Sequence, residues 1–423
     1  MTENRKRFFS TRLWIHFRKN KPASVSLYIL FFLVLIALLA PVIANDKPLY
    51  AKYNGEIFFP AFSFSDVIVL TNAETGRKEF VQASQLNWKQ MKLDKVVWAP
   101  VEYAPGKSDP VENDYISPSA KKHLLGTTKN GSDVLSGLLY GTRISLSIGI
   151  LAMLIASLIG ITLGSIAGYF GDQHLSASRA SLWMIVIGII PGYFYGFHVR
   201  SDSLSTMFQH PGIGVFWQLF ISIFIFVLIL FVFFQAGKLF NGISFFSRKV
   251  FVRMDSLVSR TIEIFISIPR LILIISLAAI ARPSFTNLIL IIGFTSWTEI
   301  ARFTRAELLR SRNSDYIENA RAIGLPDYRI ILKHALPNAL APATIAIVFG
   351  IASAILIESG LSFLGIGVPQ DVVTWGSLLS AGKENFEAWW LVIFPGIFIF
   401  ITVTAFNLVG DGLRDAMDVK GRM

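Results

Sequence analysis

The stretch Ile213-Gly-Val-Phe-Trp-Gln-Leu-Phe-Ile-Ser-Ile-Phe-Ile-Phe-Val-Leu-Ile-Leu-Phe-Val-Phe-Phe-Gln-Ala236 holds no charged residue and consists almost wholly of Phe, Ile, Leu and Val. A helix needs about 20 mostly apolar residues to cross the hydrocarbon of a bilayer, so this stretch is long enough to span and apolar enough to meet lipid on most sides. Working outward, seven further stretches reach or approach the same standard: 25–45, 143–169, 181–199, 257–281, 286–303, 340–358 and 390–409. The sequence therefore predicts an all-α polytopic membrane protein. Apolar residues make up 53% of the chain and charged residues 16%, against about 25% charged in a soluble domain. The net charge of +11 sits at the ends of apolar blocks and not on a polar folded domain, so no nucleic acid partner is expected. The absence of Cys excludes disulfides and thiolate metal sites.

Charge in the connecting segments orients the spans. The leader 1–24 carries Arg5, Lys6, Arg7, Arg12, Arg18, Lys19 and Lys21; segment 238–256 carries Lys238, Arg248, Lys249 and Arg253; segment 304–339 carries Arg305, Arg310, Arg312, Arg321, Arg329 and Lys333; the tail 411–423 carries Arg414, Lys420 and Arg422. All four fall on one side if eight spans alternate, which predicts cytoplasmic N- and C-termini. The first apolar block is longer than the roughly 7–15 residues of a cleaved signal, so it is read as a membrane span. The segment 46–140 then lies outside. Its 11 basic and 11 acidic residues show no inside bias, and its short apolar runs at 66–70 and 95–98 predict some β structure. Gly160, Gly164 and Gly168 recur four apart in the second span and predict one helix face for close packing.

The most informative connecting segment is Asp315-Tyr-Ile-Glu-Asn-Ala-Arg-Ala-Ile-Gly324, followed by Leu-Pro-Asp-Tyr-Arg-Ile-Ile-Leu-Lys-His-Ala-Leu-Pro337. Residues 316–323 favour helix, Gly324 suits the left-handed position past a helix end, and Pro326 with Asp327 suits the start of a second helix. Pro337 is expected to interrupt that helix before the next span. A charged helix–turn–helix in so apolar a chain has the form of a docking surface.

This segment resembles the EAA loop of ABC-importer permeases: Glu-Ala-Ala, three residues, Gly, nine residues, then Ile-x-Leu-Pro. Glu318, Ala320, Gly324, Leu336 and Pro337 match in place, while Asn319 stands for the middle Ala and His334 for the Ile. Asp133-Val-Leu-Ser-Gly-Leu-Leu-Tyr-Gly-Thr-Arg-Ile-Ser145, Gly168-Tyr-Phe-Gly171, Glu358-Ser-Gly-Leu-Ser-Phe-Leu-Gly-Ile-Gly367, Trp375-Gly and Asn407-Leu-Val-Gly-Asp-Gly-Leu-Arg-Asp-Ala-Met-Asp418 resemble the C-type subunit of dipeptide and oligopeptide importers. Ala44-Asn-Asp-Lys-Pro-Leu49, Tyr53-Asn-Gly and Trp98-Ala-Pro resemble its YejE-like branch, which serves peptide and microcin C uptake.

The resemblance implies a type I ABC-importer permease bundle in the cytoplasmic membrane. Its partners would be a B-type permease, two cytoplasmic ATPases docked on the coupling loops and a periplasmic binding protein. Peptide would be the cargo, and ATP and Mg would be bound by the partner subunits, with no cofactor and no catalytic activity in this chain. The coupling residues would be Glu318, Asn319, Ala320, Gly324, Leu336 and Pro337. The nearest phosphate-loop pattern, Gly126-Thr-Thr-Lys-Asn-Gly131-Ser132, lacks the Lys that such a loop requires. Residues 173–252 stand as an insertion with two extra spans, an added hairpin within the permease domain 141–410. Domain boundaries then fall at 1–24, 25–45, 46–140, 141–410 and 411–423. A secondary ion-coupled transporter, or an ABC permease for nickel or another non-peptide solute, is the alternative; neither internal repeats nor a hydrolase motif is visible.

Arg270, Glu299, Glu263 and Glu358 are charged positions inside the apolar spans. Each costs at least ~2.5 kcal/mol at mid-bilayer, so a partner or a wet cavity is expected. Arg270 and Glu299 lie at similar depth below the turn at 282–285, which predicts an ion pair on the translocation path, with Glu263 as the second candidate partner and Glu358 as a further path residue.

Overall fold

The computed structural model describes residues 14–53, 55–62, 67–71, 78–82, 86, 88–91, 93–107, 115–119, 122–204, 213–369 and 371–418. Arg5, Lys6, Arg7 and Arg12 of the leader and Lys420 and Arg422 of the tail lie outside the described residues. The architecture is a helical bundle. Its helices are α1 (Lys21–Ile43), α2 (Val134–Phe170), α3 (Arg179–Tyr193), α4 (Ile213–Leu239), α5 (Met254–Ser267) and α6 (Arg270–Ile280), followed by α7 (Phe285–Ser311), α8 (Asp315–Ala322), α9 (Leu336–Phe363), α10 (Trp375–Ala381) and α11 (Trp390–Asp418). Among the described residues, six helical stretches are long and apolar enough to cross a membrane, and the bent pair α5–α6 adds a seventh.

The bundle is built around α2. Asp133 starts this helix by accepting the Ser136 N–H at 2.8 Å, and Gly171, at φ +58°, ends it. Its glycine stripe faces α7. A Cβ on Gly160 would meet Trp297 O at 2.7 Å, one on Gly164 would meet Ala301 O at 2.6 Å, and one on Gly168 would meet Arg305 O at 2.7 Å. Successive glycines meet successively later residues, so α2 and α7 run in the same direction. α9 runs the other way, with Gly149 against Ile355 and Gly350 against Met153. The end of α1 meets the start of α2, where Ala40 and Ala44 pack with Leu139. The start of α1 meets the end of α11, where Asn20 Nδ2 donates to Asp415 Oδ2 at 2.9 Å. The beginnings of α1 and α9 and the ends of α2, α7 and α11 therefore share one end of the bundle.

α7 is more polar than a lipid-facing span, carrying Asn287, Thr295, Ser296, Glu299 and Arg302. Most of its apolar surface, from Leu288 to Leu308, is instead buried against protein. The expected continuous span at 257–281 is replaced by two helices that meet at 79°. Pro269 lacks the N–H that would continue the α5 ladder, and the residue before a proline avoids helical geometry; Ile268 is extended, at φ −94° and ψ 126°.

α3 continues through a π turn, Phe194–His198, and packs with α4 as a hairpin. Gly188 lies against Phe233, Gly192 against Phe226 and Gly237 against Ser181. The outer face of α4, including Trp217, Phe220, Phe224, Val227 and Phe231, is exposed to the surroundings of the bundle. A short ribbon tethers the hairpin, pairing β6 (Ser176–Ser178) with β7 (Lys249–Phe251).

The expected β structure between α1 and α2 is present. β1 (Tyr50–Tyr53) lies between β2 (Glu56–Phe58) and β5 (Lys95–Val97), and β3 (Val67–Thr71) pairs with β4 (Lys78–Gln82). At this end Trp375 is fully buried and donates to Leu138 O at 3.2 Å, with Gly141 leaving room for its ring.

Candidate functional site

The segment 315–337 folds as a helix, a glycine turn and a second helix. Asp315 and Glu318 sit in the first turn of α8, where acidic side chains favour the helix N-terminus. At its end Gly324 N–H bonds Arg321 O at 2.9 Å and Leu325 N–H bonds Ala320 O at 3.2 Å. This paired closure requires a left-handed residue, and Gly324 has φ +78°. Leu325 packs with buried Ile317 and Ala320 beneath the turn.

The second helix begins one residue later than expected. Pro326 is its extended cap, with ψ 146°, and Asp327–Ile330 is the first turn. Pro337 does not interrupt it. The chain runs through a π turn, Ile331–Ala335, directly into α9, the wider turn accommodating a proline that has no N–H for the carbonyl four residues back. Glu318, Asn319, Gly324 and Pro337 are exposed, Leu336 is partly covered and Ala320 is buried. Tyr316, Ile323, Tyr328 and Leu332 are also exposed, so the outward surface mixes aromatic and aliphatic groups with charge.

Several contacts at this end of the bundle, one of them to the segment itself through Tyr169, were not foreseen from sequence. Tyr169, fully buried at the end of α2, donates its hydroxyl to Asp327 Oδ1 at 2.7 Å, and the Arg321 guanidinium lies 5.1 Å from its ring centre. Arg305 of α7 donates to both oxygens of Asp255 in the first turn of α5, Nη2 reaching Oδ2 at 2.8 Å. Asp172 accepts from Ser256 N–H at 2.9 Å and from Ser256 Oγ at 2.6 Å. Those bonds, with Arg253 nearby, hold the Asp172 carboxyl below the usual carboxylate range. Tyr169 stands inside the Gly-Tyr-Phe-Gly motif, the only sequence signal among these; its partner is 158 positions away.

The four candidate path residues separate. Arg270 and Glu299 line one cavity of about 320 Å³ together with Arg302. They do not form the expected ion pair: Arg270 Nη2 donates instead to Ser296 Oγ at 2.6 Å. The extended break at Ile268–Pro269 starts a new helix at Arg270 and so resets its side-chain direction. Glu263 lies on α5, before the break, and pairs with Arg260 at 2.7 Å on an exposed face. Glu358 is fully buried and accepts from Ser145 Oγ at 2.8 Å and Ser362 Oγ at 2.9 Å, pinning α9 to α2. Glu299 also lines a larger cavity of about 990 Å³ between α7, α9 and α11, with Glu307, Arg310, Asn338, Phe349 and Arg414 on its walls.

Comparison with known proteins matches two parts of the chain to family models. Residues 239–422 match the model described as binding-protein-dependent transport system inner membrane component. Residues 9–60 match the N-terminal TM domain of oligopeptide transport permease C. The chain is 29% identical to the inner membrane ABC transporter permease protein YejE of Escherichia coli (strain K12), over 96% of this chain and 95% of that one. It is 26% identical to the peptidoglycan transport system permease protein YejE of Agrobacterium fabrum, over 97% and 92% of the two chains. It is 28% identical to the dipeptide transport system permease protein DppC of Bacillus subtilis, over 72% and 71%. With the membrane-spanning bundle and the helix–glycine–helix segment, these matches support a peptide ABC permease of the C-type, YejE-like branch.

Proposed function

We propose that this chain is the permease subunit of an ATP-binding-cassette importer that carries peptides across the cytoplasmic membrane, powered by separate ATPase subunits. The observation that carries the reading is the form of 315–337. Its glycine closure fixes the angle between α8 and the following helix, and that helix is continuous with α9, so a push on the segment is a push on a membrane span. Exposed Tyr316, Ile323, Tyr328 and Leu332 beside Glu318 and Arg329 suit a protein partner better than water. The loop-bearing end, rich in Arg and Lys, is taken as cytoplasmic, with both chain ends on that side.

In this reading two ATPases bind ATP and Mg, one docking on this chain and one on a B-type permease, and a periplasmic binding protein delivers the cargo. Relatives named for dipeptide and for peptidoglycan transport support a cargo with a peptide part. The test is reconstitution with those subunits in liposomes. Glu318→Arg and Gly324→Pro are each expected to abolish ATP-driven peptide uptake and cross-linking to the ATPase while leaving membrane insertion unchanged. Normal uptake and normal cross-linking in both variants would refute the docking role.

A further inference from the structure

The angle between α5 and α6 encloses the cavity shared by Arg270, Arg302 and Glu299. Charges in a membrane-spanning region persist where they are paired or where they meet a solute. These three are spaced around a void and not condensed against one another. Arg270 is poorly satisfied: its one bond goes to the neutral Ser296 hydroxyl, and its buried Nε has no partner. The neighbouring acids are not placed to supply one. Glu263 is held by Arg260, Asp255 is held by Arg305, and Glu299 lines the cavity without an ion pair to Arg270. Two guanidiniums facing one carboxylate leave a positive charge uncompensated.

We propose that this cavity binds the terminal carboxylate of the peptide in transit. A guanidinium offers a planar fork that matches a carboxylate with two parallel bonds. Ser296 orients Arg270, Arg302 adds the second positive charge, and Glu299 keeps the hold weak enough for release, as a transport site requires. The cavity, about 320 Å³, admits the end of a chain and not a whole oligopeptide. Pro269, Arg270 and Leu273 of the cavity wall belong to the cap and first turn of α6, whose positive end favours the same anionic group. Glu299 lines both this cavity and the larger one beyond it, which gives the bound group a way onward.

The inference rests on the peptide-transport reading, and two measurements on the reconstituted assembly separate them. The chain has no Cys, so Thr298→Cys places a single thiol on the cavity wall. Trialanine is expected to slow labelling of that thiol during turnover, and trialanine amide to leave it unchanged; equal effects of the two would overturn the inference. Arg270→Gln is expected to lower trialanine uptake about tenfold or more, the size of one lost charge-assisted pair, with ATP hydrolysis still stimulated by loaded binding protein. Arg270→Lys is expected to recover most of that loss. Uptake by Arg270→Gln at the unsubstituted rate would overturn this inference and leave the transport function standing. No peptide uptake by the unsubstituted assembly would overturn both. Should Arg270→Gln fail to assemble, the labelling of Thr298→Cys decides alone.

Discussion

Asp172 and Asp255 together join three helices with two carboxylates. Asp172 follows the glycine that ends α2, its two oxygens cap the start of α5 through Ser256, and the adjacent Asp255 holds Arg305 of α7. The Ser256 bonds favour the ionised form, so the folded-state pKa lies below the ordinary value of 3.8. A depressed carboxylate contributes stability that is present above the unfolded pKa and lost as pH falls through the folded one. Thermal unfolding of the detergent-solubilised protein between about pH 3 and pH 7 should therefore show an acid-side loss that Asp172→Asn reduces. An unchanged acid limb in the variant would remove Asp172 from that account. At this scale the sequence was legible where one residue's own geometry decides, as at Gly324, and illegible where the partner is distant. Tyr169 to Asp327 and Glu358 to Ser145 are such pairs. Arg270 shows a third case: depth along the membrane was readable, but side-chain direction depended on a helix break that reorients everything after it.

Among elements, the contact of α2 with α7 is the most constrained. Gly160, Gly164 and Gly168 bring backbone against backbone, and the added atom of any side chain at Gly164 would fall 2.6 Å from Ala301 O and 2.9 Å from Thr304 Cβ. Backbone on both sides leaves no flexible group to move aside. Gly164→Leu should cost about 3 kcal/mol or more, at the upper end of overpacking penalties, because relief requires separating the helices along their length. The expected readout is a fall in folded yield and in unfolding temperature far larger than for Ile161→Leu, a partly covered neighbour in the same turn. Equal effects of the two would show that the stripe is not the contact. The four-residue glycine spacing declared this face in the sequence, but it did not name the partner. α7 was also the least apolar of the expected spans, because it is sheathed by protein and its Asn287, Thr295 and Ser296 need not face lipid. The break at Ile268–Pro269 was visible as a proline, yet the hydropathy of 257–281 is unbroken and gives no angle.

For the whole molecule, the directions of the helices decide which parts are separable. α2 and α7 run together, α1 and α9 run against them, and the α3–α4 hairpin leaves and returns at one end of the bundle. Its two strands already pair at the point of departure, Ser176–Ser178 against Lys249–Phe251. Just inside that ribbon Asp255 N–H lies 3.4 Å from Gly171 O, and Ser256 is bonded to Asp172. The chain ends that removal of 173–252 would create are thus held close by contacts outside the excised piece. Both helices of the hairpin pack mainly on each other, so removing them uncovers little of the bundle. The match to the family model begins at residue 239, beyond α3 and almost all of α4. Direct fusion of Asp172 to Arg253 should therefore give a permease that inserts, recovers its partner permease on co-purification and keeps Asp172 on Ser256. Asp172→Asn in the fused chain should then shift its acid limb as in the full chain. Loss of partner recovery by the fused chain, with insertion intact, would assign the exposed Phe-rich face of α4 to a protein contact instead of to lipid.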